Sequence, residues 1–185
     1  MKVAVSILLV ICLITGCMRE DGGSSRGLLL REKLSKSGCQ FEAAVTSDFG
    51  DATYVFSLRC SFTVDGKMQF AVVSPVEIAD ISGTISGEKG ELVFDDTVLA
   101  FPTLADGDLS PVSAPWHVIR ALKSGYLSSV ATDNDQLSMT IDDTFSSEPL
   151  RVVIRLDASD LPEYAEIFWN GRMILWTHIS DFTYV

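Results

Sequence analysis

At 185 residues, 47% of them hydrophobic and 21% charged, the chain is long enough to bury the core of one domain and too apolar to stay disordered. Its 14 basic residues against 25 acidic ones give a formal net charge of −11, which argues against nucleic acid and bare anionic lipid head groups as partners. Four Cys, 13 Gly and 6 Pro exclude a collagen-like repeat and a disulfide-dense miniprotein.

Met-Lys opens the chain, and an apolar run from Val3 to Ile14 follows, too short for a permanent membrane span and of the length of a signal peptide. The run ends in Ile14-Thr15-Gly16-Cys17, which resembles the bacterial lipobox of an aliphatic residue, two small residues and an obligatory Cys. The resemblance implies cleavage after residue 16 and a diacylglycerol on the Cys17 thiol. Two or three acyl chains at roughly 0.8 kcal/mol per buried methylene make a stable anchor, where one chain holds only marginally. Residues 1–16 are therefore read as signal peptide, and residues 17–26 as the lipidated Cys with a flexible Gly- and Ser-rich spacer. Residues 27–185 contain neither repeat nor linker and are read as a single domain.

Residues 26–37 carry Leu28, Leu29, Leu30 and Leu34 among charges, the pattern of a short amphipathic helix stopped by Gly38. Cys12 leaves with the signal peptide and Cys17 takes the lipid, so Cys39 and Cys60 remain as a pair in an exported setting. A tight turn at Asp48-Phe49-Gly50-Asp51 puts Cys39 opposite Cys60, with Phe41, Ala43 and Val45 opposite Leu58, Phe56 and Tyr54 on one apolar face. That register predicts a disulfide; the alternative is a pair of buried reduced thiols.

A three-residue loop at 65–67 would set Phe62 opposite Phe70. Ser74-Pro75-x-Glu77 marks a helical turn over 75–80. Two more strands meet at Gly-Glu-Lys-Gly and a third follows as VLAF. Ser113 is expected to cap a helix over APWHVIRALKS, with Trp116, Ile119 and Leu122 on one stripe and Gly125 at its end. Strands follow near 126–131 and 136–142, then LRVVIRLD, then a hairpin about Asn170-Gly171.

A tight turn there places Ala165, Ile167, Trp169, Ile174 and Trp176 on one face, and Phe168, Met173 and Leu175 on the other. Both faces are apolar, so each is covered, unlike a one-sided antiparallel sheet. Either helices and strand curvature fill both sides, or a curved sheet roofed by helices encloses an apolar cavity; in the second case these five residues and Trp116 line it.

Sequence signals of chemistry are sparse. No nucleophile elbow, His-Glu-x-x-His or phosphate-cradling glycine loop occurs. His117 and His178 are isolated, Asp95-Asp96 and Asp142-Asp143 end strands, and Asp133-Asn134-Asp135 lacks the Gly and distal Glu of a calcium loop. No catalytic residue, metal site or cofactor is assigned.

About eleven strands and two or three short helices make the fold class mainly β. The element order, with a strand running from Asp65 into Pro75, resembles the lipoprotein carrier superfamily of LolA and LolB and the mycobacterial lipid-binding lipoproteins. That resemblance implies a curved antiparallel sheet forming an unclosed half-barrel, with the helices on its concave side. Val76-Glu77-Ile78 follows that Pro where such chains often carry a basic residue. The resemblance implies an extracytoplasmic, membrane-anchored lipoprotein that holds a lipid or other hydrophobic ligand without chemistry. The alternative is an envelope or sensory scaffold whose partner is a protein and which takes no small ligand. The lipobox makes its own prediction: Cys17→Ala abolishes incorporation of labelled fatty acid and leaves the precursor uncut or released.

Overall fold

The structure, a computed structural model, describes residues 22–48, 53–87, 89–105, 108–143 and 149–185. The predicted signal peptide and Cys17 lie outside the described residues. Helix α1 (Gly22–Lys36) leads into strands β1 (Cys39–Asp48), β2 (Thr53–Phe62) and β3 (Met68–Ser74), then a 3-10 turn (Val76–Ile78). Strands β4 (Ser82–Ser86), β5 (Lys89–Phe94) and β6 (Thr97–Pro102) follow, with a small ribbon of β7 (Leu104–Ala105) and β8 (Asp108–Leu109). A second 3-10 turn (Pro111–Ser113) enters helix α2 (Ala114–Ser124), and β9 (Tyr126–Asp133), β10 (Gln136–Asp143), β11 (Leu150–Leu156), β12 (Pro162–Trp169) and β13 (Arg172–Tyr184) complete the chain.

Eleven of these strands form one antiparallel sheet in the order β6-β5-β4-β3-β2-β1-β13-β12-β11-β10-β9. Two meanders thus run outward from a central seam made by the first and last strands, and the outer strands β6 and β9 stay apart. The result is the half-barrel that the element order implied. Alternation along the strands sends Phe41, Ala43, Val45, Leu58, Cys60, Met139, Ile141, Val152 and Ile154 to a fully buried inner face. Both helices pack on that face: α1 inserts Leu30 and Leu34 beside β9 and β10, and α2 is buried from Ala114 to Ile119 and again at Ala121 and Leu122.

Several predicted details shift, each for a local reason. Helix α1 begins at Gly22, so five residues read as spacer are helical; Arg26 pairs with Asp160, and Gly23 lies against Leu137 and Thr132. Leu28 and Leu29 face solvent, leaving Leu30 and Leu34 as its apolar contact. Ser113 does not cap α2 with its side chain, because the preceding 3-10 turn already holds it in a helical conformation; its Oγ–H is shared between the carbonyls of Thr103 (2.9 Å) and Ser110 (2.7 Å). The turn after Ser74 is shorter than predicted, and no side chain caps it.

The first two hairpins are offset by two residues from their predicted registers. Asp48 pairs with Thr53, so the loop between them is longer than the expected tight turn, and Cys39 falls opposite Phe62 while Phe41 falls opposite Cys60. Between β2 and β3 the backbone and hydroxyl of Thr63 both bond Lys67, closing a wider loop that sets Met68 opposite Phe62. A two-residue offset preserves strand parity, so the faces stay as predicted while the partners change.

Cys39 and Cys60 are consequently diagonal neighbours, both buried and both free thiols. Burial pushes the Cys39 thiol up to about 12 against a small opposing pull from Lys123, and burial raises Cys60 as well, with Cys39 and Glu42 adding to it. Neither thiol ionises near neutrality, and thiolate is the reactive form. Peptide mapping after alkylation should therefore find residues 39 and 60 unlabelled in the native protein and both labelled in denaturant without reductant; labelling of either one in the native state would refute this packing.

Candidate functional site

The helices roof one part of the concave face and leave another open. They pack against β2 and β9 to β13, while the inner face of the β4–β6 wing extends beyond them. Register carries that face across the wing as Phe70, Gly83, Leu92 and Leu99, with Ile85, Gly90 and Phe101 beside them. Gly83 and Gly90 are required here by close approach. A Cβ on Gly90 would lie 2.2 Å from the Phe101 ring, and one on Gly83 would meet the Glu91 carbonyl at 2.2 Å and the Phe70 ring at 2.7 Å. Aromatic rings thus lie against the two glycines, and exposure rises outward: Ile85 is buried, Leu92 and Phe101 half-buried, Phe94 49% exposed and Leu99 59% exposed.

The mouth of this surface lies at the sheet end shared by Tyr54, Ser74, Ser82, Phe94 and Thr97, as the pairings Ser47–Tyr54, Ser57–Ser74, Ala71–Ser82, Ser82–Val93 and Phe94–Thr97 establish. Tyr54 is 56% exposed there, and Ile78 of the 3-10 turn after β3 is exposed as well. A hydrophobic face that is continuous with the core yet open at its edge is the form of a binding surface. The sequence signal for it was present. The β5–β6 hairpin turns at Asp95-Asp96, both with positive φ, and sets Leu92 against Leu99 on one face and Val93 against Val98 on the other. This is the same two-sided apolarity that drew attention to the terminal hairpin.

The predicted cavity residues are divided by a β-bulge. Trp169 pairs with Arg172 and Phe168 with Met173 about Asn170-Gly171 as expected, but Ile167 then pairs with Leu175 and Glu166 with Trp176. The extra residue in β13 reverses its faces. Ala165 and Ile167 share the buried inner face with Leu175 and Thr177, while Trp176 lies beside Glu166 and Thr46 on the outer side. Ile174 stands at the bulge and Trp169 beside it, both half-buried against the core. Trp116 is core too: its indole N–H donates to the Gly66 carbonyl at 3.0 Å and the Arg120 guanidinium stacks on its ring at 4.7 Å, fastening α2 to the β2–β3 loop.

Polar groups inside the half-barrel are few. Arg120 forms an ion pair with the buried Asp143 at 2.9 Å. His117 is buried and, among the described residues, neither ring nitrogen has a well-formed hydrogen bond. Burial above all, with the Arg120 charge adding to it, lowers its pKa to about 3 against a small opposing pull from the Thr103 carbonyl. Ser47 and Thr177 are buried with no hydrogen-bond partner for either hydroxyl among the described residues. On the convex side, Asp142 accepts from Arg151 (2.8 Å) and from Ser128, which hold its carboxyl below the usual range; it borders a pocket of about 540 Å³ with Val153 and Phe168. The Asp142-Asp143 pair therefore makes two ion pairs, a role beyond strand ending. Asn134 and Asp135 form the β9–β10 hairpin turn, both with positive φ. No group of three His, Cys, Asp or Glu that could hold a metal occurs among the described residues.

The chain is similar to a solved LolA superfamily protein from Nitrosomonas europaea at 10% identity, covering 85% of this chain and 92% of that one with a TM-score of 0.47. It is also similar to a putative outer membrane lipoprotein-sorting protein domain from Vibrio parahaemolyticus (11% identity, 85% and 90% covered, TM-score 0.47) and to LprF from Mycobacterium bovis (9%, 87% and 92%, 0.43). No protein-family model and no curated protein matches the sequence.

His117 supplies a pH test of the core beneath α2. Its folded pKa lies below the unfolded value of 6.5, so the unfolded chain binds the extra proton and stability falls as pH drops from 6.5 toward 3. Carboxylates held low in the fold, such as Asp142, withdraw their stabilisation only at lower pH. Denaturant unfolding should therefore show a loss of about 1.6 kcal/mol between pH 6.5 and 5, the slope approaching about 1.36 kcal/mol per unit below the unfolded pKa, and His117→Leu should flatten it.

Proposed function

We propose that this chain is a membrane-anchored extracytoplasmic lipoprotein that binds a hydrophobic, lipidic ligand in its half-barrel without catalysing a reaction on it. One observation carries the reading: an apolar inner face that runs from the core into the open at Leu92, Phe94, Leu99 and Phe101. Soluble domains seldom leave such a face uncovered unless something binds there. An acyl chain suits it because the contacts are aliphatic and aromatic. The anchoring half of the proposal rests on the lipobox at Cys17. A second reading, the protein scaffold, draws on β6, a six-residue edge strand without a charged residue whose outer backbone is unpaired in the sheet and could take an added strand.

Full-length protein purified gently from its own cells should yield a bound apolar molecule on organic extraction. Burying one leucine contributes roughly 1.5–3 kcal/mol, so Leu99→Asp should weaken binding of a long-chain acyl probe at least tenfold. Val98→Asp, one residue away on the other face and equally exposed, should leave it unchanged. Equal effects of the two substitutions, with nothing extracted, would favour the scaffold.

A further inference from the structure

Ser47 and Thr177 occupy the one stretch of the central seam where the inner face is not purely apolar. Ser47 on β1 pairs with Leu175 on β13, and Thr177 pairs with Val45, so the two hydroxyl residues are diagonal neighbours on the same face. Both are fully buried, and among the described residues neither hydroxyl has a hydrogen-bond partner. A buried hydroxyl without a partner loses its hydration with nothing in return. Two of them side by side, inside a face otherwise built of Val45, Phe56, Leu58 and Leu175, call for a polar atom brought in from outside.

The way in is short. Ser47 lies directly opposite Tyr54 on β2, and Tyr54 is exposed at the mouth of the open wing. Paired residues on neighbouring strands are about 4.5–5.5 Å apart, so Ser47 sits one side chain inward from Tyr54. Four to five strand spacings, roughly 20–25 Å, separate it from Leu92 and Leu99 on β5 and β6, about the length of an extended eighteen-carbon chain. The surrounding chemistry also selects the polar atom. The inner face of β1, β2 and β13 around the pair presents Ala43, Val45, Phe56, Leu58, Leu175 and Ile179, with no basic side chain, and Arg120 of the overlying helix is paired with Asp143. A carboxylate or phosphate would enter without a counter-charge in a chain of net charge −11.

We infer that Ser47 and Thr177 form the head-group site for a neutral lipid, whose ester or hydroxyl oxygens take hydrogen bonds from the two side chains while its acyl chain lies along Leu92, Leu99 and Phe101. This inference rests on the lipid-binding reading above and specifies the ligand class as acylglycerol-like.

The test uses full-length protein and three probes of one chain length, monooleoylglycerol, oleate and 1-octadecene, in titration calorimetry. The wild-type protein should bind monooleoylglycerol about tenfold more tightly than either other probe. The double substitution Ser47→Ala, Thr177→Val should lower that affinity to the level of 1-octadecene, leave 1-octadecene itself unchanged, and keep or raise the thermal midpoint, because partnerless hydroxyls have been removed. The single variant Ser47→Ala should show part of the loss, and the ester carbonyl stretch of bound monooleoylglycerol should move to higher frequency in it. Wild-type affinity of the double variant for monooleoylglycerol, or preference of the wild type for oleate, overturns the head-group site while the lipid-binding reading stands. Failure of all three probes to bind overturns both.

Discussion

The pairing of β1 with β13 is the constraint on which the rest of this structure depends. Each meander is local in sequence and needs only short turns, but neither closes a core alone. The seam joins residues from opposite ends of the domain, Cys39 with Tyr184 and Ser47 with Leu175. Only then does a single curved face exist for the helices to cover. Such a contact is formed at high loop-closure cost and is expected late in folding. Strand β13 is accordingly long and irregular. It bulges once against β12 and again against β1, and at the second bulge Asp181 has positive φ. That turns Phe182 inward to stack on Phe41 at 5.7 Å.

Helix α2 decides which part of the concavity is core. Its buried surface extends nearly all round, and it is held at three points: Trp116 to the Gly66 carbonyl, Arg120 to Asp143, and Lys123 to the Val64 carbonyl at 2.8 Å. With α1 alongside, it fills the half of the barrel built from β9 to β13 and the central seam. The wing of β4 to β6 projects past this roof, so the same alternation that buries Ile85 leaves Leu99 in solvent. Core and candidate site are one continuous surface, divided by where the helices stop. The polar groups within it follow the same division, with the ion pair and His117 on the roofing helix and the hydroxyls of Ser47 and Thr177 on the seam beside the mouth.

The acidic balance of the chain bears on its setting. A net charge of −11 repels an anionic membrane surface. A domain tethered there by lipid would be held by the tether alone, leaving its apolar mouth free. Because α1 begins at Gly22, little chain separates it from Cys17.

The sequence by itself determined the order of the elements, the parity of nearly every strand, and the turns at Asp95-Asp96, Asn134-Asp135 and Asn170-Gly171. These depend on side-chain period and on a few residues that tolerate positive φ, which are local properties. It did not determine partners. A loop two residues longer than the tight turn moved Cys39 from Cys60 to Phe62, and one inserted residue in β13 sent Trp176 to the face opposite Ile167. Loop length and bulges are set by how strands twist against neighbours distant in the chain, so local pattern cannot reveal them. Nor could periodicity tell a covered apolar face from an open one. Leu92, Leu99 and Phe101 read like core strands, and only the limit of the helical roof makes them a candidate site.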